Sequence, residues 1–176
     1  MESILIHTCC APCSILVIDK FKKDYEITLF FYNPNIHPYK EYLERLNSFK
    51  SFAENQKINY IVAKYEYKDY FMNITKNFED RCKFCYQLRL NQAAIISKEL
   101  NIKNFTTTML YSPYQKHDII KTIGELLAKN YDLNFIYFDL RERYADGVKL
   151  SKDYNLYRQK YCGCIFSEIE RFGGGR

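Results

Sequence analysis

The stretch Ser3-Ile4-Leu5-Ile6-His7-Thr8-Cys9-Cys10-Ala11-Pro12-Cys13 decides the fold. Residues 3–7 are a short apolar run that reads as a strand, Thr8 and the cysteines make a tight turn, and a helical pattern follows from Ala11 to Lys22. Strand, turn and helix in this order open an α/β unit. A nucleotide-binding α/β fold would carry a glycine-rich loop at this turn. Cysteines stand there instead, and neither G-x-G-x-x-G nor G-x-x-x-x-G-K-S/T occurs anywhere in the chain, which argues against ATP or dinucleotide use.

Working outward, the alternation repeats. Tyr25–Tyr32 reads as a second strand that ends in the turn Asn33-Pro34-Asn35, and His37–Gln56 as a long amphipathic helix. Ile58–Ala63 is a third strand and 65–75 a short helix. Arg81–Leu100 is helical, Phe105–Leu110 a β-branched strand, 116–130 a helix and Phe135–Phe138 a further strand. A polar, tyrosine-rich segment then runs to Tyr161-Cys162-Gly163-Cys164 and a last short helix through Phe172, with 173–176 expected as a flexible tail. The expected fold is therefore α/β, a mostly parallel sheet flanked by helices with a C-terminal helical and loop extension, in one domain spanning 1–176. Ligand sites in such sheets form beyond the carboxyl ends of the strands, at a topological switch point. Cys9–Cys13, Asn33–Asn35 and Ser112–Gln115 all follow strands and should share one rim.

Composition sets bounds. The 47% hydrophobic and 27% charged content excludes disorder, and the net charge of +5 favours a polyanionic partner. The opening residues show no basic n-region and no long apolar run. A cytoplasmic protein without a membrane span is expected, and its thiols should stay reduced. The basic run Lys20, Lys22 and Lys23 reads as a solvated helix face.

The seven cysteines fall into three clusters, Cys9, Cys10 and Cys13; Cys82 and Cys85; Cys162 and Cys164. Three chemistries fit parts of this pattern. Cys10-Ala11-Pro12-Cys13 at a helix start has the form of a thioredoxin-like dithiol oxidoreductase, but leaves the other thiols unexplained. Two C-x-x-C pairs can make a tetrahedral structural zinc site, as in a zinc-stabilised tRNA-binding module, although three cysteines remain over. An iron–sulfur cluster takes about four thiolates, which leaves about three for a neighbouring metal with an open position. Cys82 and Cys85 sit three apart on one helix face, so both sulfurs can point one way. His7 reads as an inward, hydrogen-bonded histidine, and His37 and His117 as capping or surface residues. Asp80, Asp139 and Asp146 read as turn or cap residues that can also serve as acid–base groups.

Taken together, His7-Thr8-Cys9-Cys10-Ala11-Pro12-Cys13, Phe31-Tyr32-Asn33-Pro34-Asn35-Ile36, Arg81-Cys82-Lys83-Phe84-Cys85-Tyr86, Thr106-Thr107-Thr108-Met109-Leu110-Tyr111-Ser112-Pro113-Tyr114-Gln115 and Leu156-Tyr157-Arg158-Gln159-Lys160-Tyr161-Cys162-Gly163-Cys164 resemble the QueH type of epoxyqueuosine reductase over nearly the whole chain. The resemblance implies a fold like the adenine-nucleotide alpha-hydrolases (the HUP class). It also implies an oxidoreductase of queuosine biosynthesis and tRNA processing, which removes the epoxide oxygen from epoxyqueuosine at the tRNA wobble position. It implies a 4Fe-4S cluster and one additional metal ion, iron or zinc, with Cys9, Cys10, Cys82, Cys85, Cys162 and Cys164 as ligands and Cys13 included with them. The partners expected are tRNA bearing epoxyqueuosine and an external electron donor protein, since no flavin or nicotinamide motif is present. A monomer is expected. Tyr114, Tyr161 and Asp146 are candidate proton donors. Asn33, Asn35, Ser112, Gln115, Arg158 and Gln159 are candidate substrate contacts, amides suiting a base edge and arginine a phosphate.

Overall fold

The computed structural model describes residues 1–75 and 78–174. Five strands form one parallel sheet: β1 (Glu2–His7), β2 (Tyr25–Phe31), β3 (Asn59–Val62), β4 (Asn104–Thr107) and β5 (Asn134–Phe135), in the spatial order β3-β2-β1-β4-β5. β1 lies at the centre, pairing Glu2–His7 with residues 25–30 of β2 and Ile4–His7 with residues 104–107 of β4. Both faces of a parallel sheet are covered, so its strands read as apolar runs rather than alternating ones. Ile4, Leu5, Ile6, Leu29, Phe30, Phe31 and Phe105 are accordingly shut off from solvent. The order reverses between β1 and β4, and that is the switch point where the cysteine turn emerges.

Two helical layers sandwich the sheet. α1 (Ala11–Phe21) packs with α2 (Tyr39–Asn55) and α6 (Tyr144–Asp153), while α4 (Arg81–Glu99) packs with α3 (Tyr67–Ile74) and α5 (His117–Tyr131). A last helix, α7 (Ile165–Phe172), follows the final cysteine pair. The expected α/β architecture with a C-terminal helical and loop extension is the one found. Of the expected tail, Gly173 and Gly174 close α7, and Gly175 and Arg176 lie outside the described residues.

Several boundaries differ from the sequence pattern for local reasons. The strand expected to run to Leu110 stops at Thr107, whose hydroxyl accepts from the Met109 amide and turns the chain into a 3-10 helix at Thr108–Tyr111. The helix expected from His37 starts at Tyr39, with Pro38 as its N-cap. β5 is shorter than expected, although Ile136 still donates to Phe105 O. His37 and His117 are not surface residues. His37 is buried with its ring stacked on Phe71 at 4.7 Å, and His117 is buried between the Ser112 carbonyl and the Tyr137 hydroxyl. His7 does face inward, its Nδ1 3.0 Å from Thr107 Oγ1 and its Nε2 3.0 Å from Tyr32 O.

The polar, tyrosine-rich segment contains α6, which packs on α1. Gly147 allows this approach: a Cβ there would run into the Tyr111 ring, whose hydroxyl donates to Tyr144 O at 2.8 Å. Gly147→Ala should therefore lower stability by about 1–3 kcal/mol through overpacking. The effect would appear as a lower urea midpoint at unchanged slope, and an unaltered midpoint would show that Tyr111 yields at no cost.

Candidate metal centre

The first thiol group is built by the end of β1 and the start of α1. β1 carries its ladder one residue on, Thr8 N donating to Phe30 O at 2.8 Å, and Cys9 then leaves the sheet. Cys10 is the extended N-cap of α1, and Pro12 fits the first turn, where a missing N–H costs nothing. This geometry turns Cys9, Cys10 and Cys13 toward one another, with all three sulfurs within 4.8 Å. Cys9 Sγ lies 3.8 Å from Cys10 Sγ, and Cys10 Sγ 2.6 Å from Cys13 Sγ. All seven cysteines are free. Hydrogen bonds from Cys10 and Cys13 hold the Cys9 thiol well below its usual value, with the Arg89 charge helping. Burial pushes Cys10 up, and hydrogen bonding to Cys10 and Cys9 pushes Cys13 up. The three thiols are thus coupled, Cys9 being the one whose ionised form its neighbours favour.

The second group joins the first turn of α4 to the C-terminal loop. Cys85 is buried, Cys82 and Cys164 are half-buried, and Cys162 is exposed. Cys82 and Cys162 each feel the charge of Cys164, and Cys85 feels both Cys162 and Cys164, which makes the four electrostatic neighbours. Burial pushes Cys85 up to about 12 and raises Cys82 and Cys162. Tyr70 and Ile74 of α3 pack against Cys85, with Phe166 and Cys164 beside them, forming a small apolar wall around these sulfurs. Gly163 separates the pair Cys162 and Cys164 with φ +143°, a conformation open to glycine alone, and its carbonyl accepts from His37 N at 2.7 Å. Cys164 caps α7, its sulfur accepting from Ser167 N.

Two buried arginines connect the groups, and the sequence reading missed both. Arg45 of α2 donates to Glu41 at 2.7 Å, to Cys162 O at 2.8 Å and to Tyr161 O at 3.0 Å. Arg89 of α4 donates to Asn33 Oδ1 at 2.8 Å and reaches Cys85 Sγ at 3.8 Å. Each lies four residues after its partner on the same helix, Glu41 and Cys85, and that spacing was the available signal.

A cleft of about 860 Å³ opens over the thiols, lined among others by Cys9, Cys13, Cys162, Arg89 and the tyrosines 111, 114 and 144. Of the expected substrate contacts, Ser112, Gln115, Arg158 and Gln159 line it. Gln115 Nε2 donates to Cys162 Sγ at 3.5 Å, and Gln159 Nε2 to Cys10 Sγ at 2.9 Å and Cys13 Sγ at 3.4 Å. Asn33 and Asn35 are buried beneath the rim instead. Asn33 is committed to Thr8 O and Arg89, and Asn35 Oδ1 has no partner among the described residues. Of the expected proton donors, Tyr114 and Tyr161 line the cleft. Tyr114 is open to solvent, whereas the Tyr161 hydroxyl is spent on His37 O. Asp146 is paired with Arg143 at 3.1 Å on the solvent side of α6, and Asp139 braces Arg141.

The donor set suits soft metals: seven free thiols, two amides aimed at sulfur and the Arg89 guanidinium to balance thiolate charge. Burial holds the Cys82, Cys85 and Cys162 thiols above their usual value, so a metal must displace their protons to bind. Apparent affinity for Zn²⁺, as a probe ion, should therefore rise with pH, by about tenfold per unit for each proton displaced. A competition titration with a chromophoric chelator between about pH 6 and about pH 8, one unit either side of neutrality, reads this. A flat profile would mean that the ligands are already ionised.

Comparison with known proteins bears on this centre. A family model described as epoxyqueuosine reductase QueH matches residues 4–170. The epoxyqueuosine reductase QueH of Dehalococcoides mccartyi is 36% identical over 172 residues, covering 97% of this chain and 94% of that one. Its counterpart from Thermotoga maritima is 33% identical over 181 residues, covering 97% and 93%. Among solved structures, the U34-tRNA thiolase NcsA from Methanococcus maripaludis with its [4Fe-4S] cluster matches with a TM-score of 0.62 at 16% identity, over 99% of this chain and 69% of that one. At that identity the likeness concerns the fold.

Proposed function

The chain belongs to the QueH family of epoxyqueuosine reductases, and from that premise we propose that its cleft takes epoxyqueuosine at the wobble position of a tRNA and removes the epoxide oxygen. The observation that carries this reading is that Cys9 and Cys13 after β1 and Cys162 from the C-terminal loop line one open cleft at the strand switch point, with Arg89 in the same lining reaching back to Cys85. Two electrons and two protons enter, both C–O bonds of the epoxide break, a C=C bond forms and the oxygen leaves as water. A thiolate-held 4Fe-4S cluster would supply single electrons, and a second metal ion, iron or zinc, with an open position would polarise the epoxide oxygen.

The chain's own groups supply the rest. All seven cysteines serve as ligands, the triad after β1 and the four thiols between α4 and the C-terminal loop. Gln115 and Gln159 steady the sulfurs from the cleft side with N–H donors. Tyr111, Tyr114 and Tyr144 offer ring surfaces to the nucleobase, and Ser112 a hydroxyl to its edge. Arg158, Lys160 and Arg171 at the cleft margin meet the flanking phosphates. Tyr114 has the freest hydroxyl to deliver a proton, because Tyr161 donates to a backbone carbonyl and Asp146 is held by Arg143. Asn33 and Asn35 act from below, by shaping the rim. The chain works as one domain and a monomer, drawing electrons from a separate donor protein in the cytoplasm.

An anaerobic turnover assay on tRNA containing epoxyqueuosine, with dithionite as donor and nucleosides analysed by mass spectrometry, tests the reading. Queuosine should appear, and the reconstituted protein should be brown with an electron paramagnetic resonance signal on reduction. A protein that binds only zinc and yields no queuosine would point to a structural module. Tyr114→Phe should slow conversion while leaving iron and sulfide content unchanged, and equal rates would move proton delivery elsewhere.

A further inference from the structure

Arg89 is 2% exposed, yet none of the ion pairs among the described residues includes it. Its Nη2 has an uncharged partner, Asn33 Oδ1 at 2.8 Å, and its Nη1 points to Cys85 Sγ at 3.8 Å. Its Nε is buried without a partner among the described residues. A dry guanidinium without a counter-charge is costly, so the surrounding sulfurs are what balances it. Arg89 also lines the cleft beside Cys9 and Cys162, and its charge acts on Cys9, Cys85 and Cys162, which come from both thiol groups. Arg45, the other buried arginine, differs because Glu41 already neutralises it at 2.7 Å.

We propose that Arg89 is a positioning residue that serves as a fixed counter-charge shared by the two thiol groups, raising the reduction potential of the iron–sulfur centre they hold. The proposal rests on the reading above only in taking these thiols as ligands of a cluster. Each one-electron reduction adds one negative charge to the thiolate-bound iron and breaks no bond in the protein. A neighbouring fixed cation, together with N–H donors to sulfur, favours that extra charge, and net charge and hydrogen bonding to sulfur are established controls of cluster potential. Arginine suits the position because its planar fork serves Asn33 and Cys85 at once and stays charged when buried.

The test uses the full chain, reconstituted anaerobically, as wild type, Arg89→Met and Arg89→Lys. Iron and sulfide per chain and the midpoint of a dithionite titration followed by electron paramagnetic resonance are measured without tRNA. Arg89→Met should shift the midpoint to more negative potential at wild-type iron content, and Arg89→Lys should recover most of that shift. If Arg89→Met takes up no iron while Arg89→Lys holds a cluster near the wild-type midpoint, the need for the charge is equally supported. An unchanged midpoint in Arg89→Met at full iron content, or a lysine variant that behaves like the methionine one, overturns the proposal. A wild-type chain that binds no cluster overturns both the proposal and the reductase reading. A cluster-loaded wild type that fails on tRNA overturns the reductase reading alone.

Discussion

A guanidinium taken out of water is costly unless acceptors answer it, and Arg45 shows what that demand builds. The loop from Leu156 to Cys164 belongs to no strand, and the helix it leads into, α7, buries no residue. What places the loop is Arg45, which is 1% exposed and gives one donor to Tyr161 O, one to Cys162 O and one to Glu41. The Tyr161 ring lies over the guanidinium at 5.5 Å, and Tyr157 donates to the other oxygen of Glu41. Cys162 and Cys164 thus reach the thiols of α4 because a charge on α2 fixes two carbonyl groups. The backbone link from Gly163 O to His37 N completes the tie.

The same logic sets what could be read beforehand. Strands β1 to β4 and the helices between them were legible because doubly covered parallel strands are continuous apolar runs and their crossover helices are long. The cysteine turn announced the site because thiols at a strand end have few other uses. Arg45 and Arg89 gave only a weaker sign, a partner four residues earlier that an exposed helix face would show as well. In one dimension each is a polar residue on a helix, and only burial shows that it faces inward. α4 packs on the sheet, on α3 and on α5, so a charge near its middle had little chance of reaching water.

Other differences arise where tertiary contact overrides local pattern. α6 lies in a segment that reads only as polar and tyrosine-rich because Gly147 weakens its helical signal, yet that glycine is what lets the helix sit on Tyr111. His37 and His117 look like helix-start residues and do lie next to helix starts, but aromatic neighbours cover them. Asn33 and Asn35 follow a strand as the rim argument requires. Their amides turn down into the protein, because Thr8 O and Arg89 compete successfully for the side chain of Asn33.

The three cysteine segments also differ in when they come into being. A growing chain presents residues 9–13 together with their helix long before residues 82–85 exist, and residues 162–164 come later still. The first triad sits on one strand end and one helix turn, yet Thr108 binds Cys9 and Gln159 donates to Cys10 and Cys13, while the other four thiols lie on α4 and the C-terminal loop that Arg45 holds. The groups that hold Cys9, Cys10 and Cys13 in place are therefore made long after those thiols, and the centre takes the geometry seen here only in a chain that already carries Thr108 and Gln159.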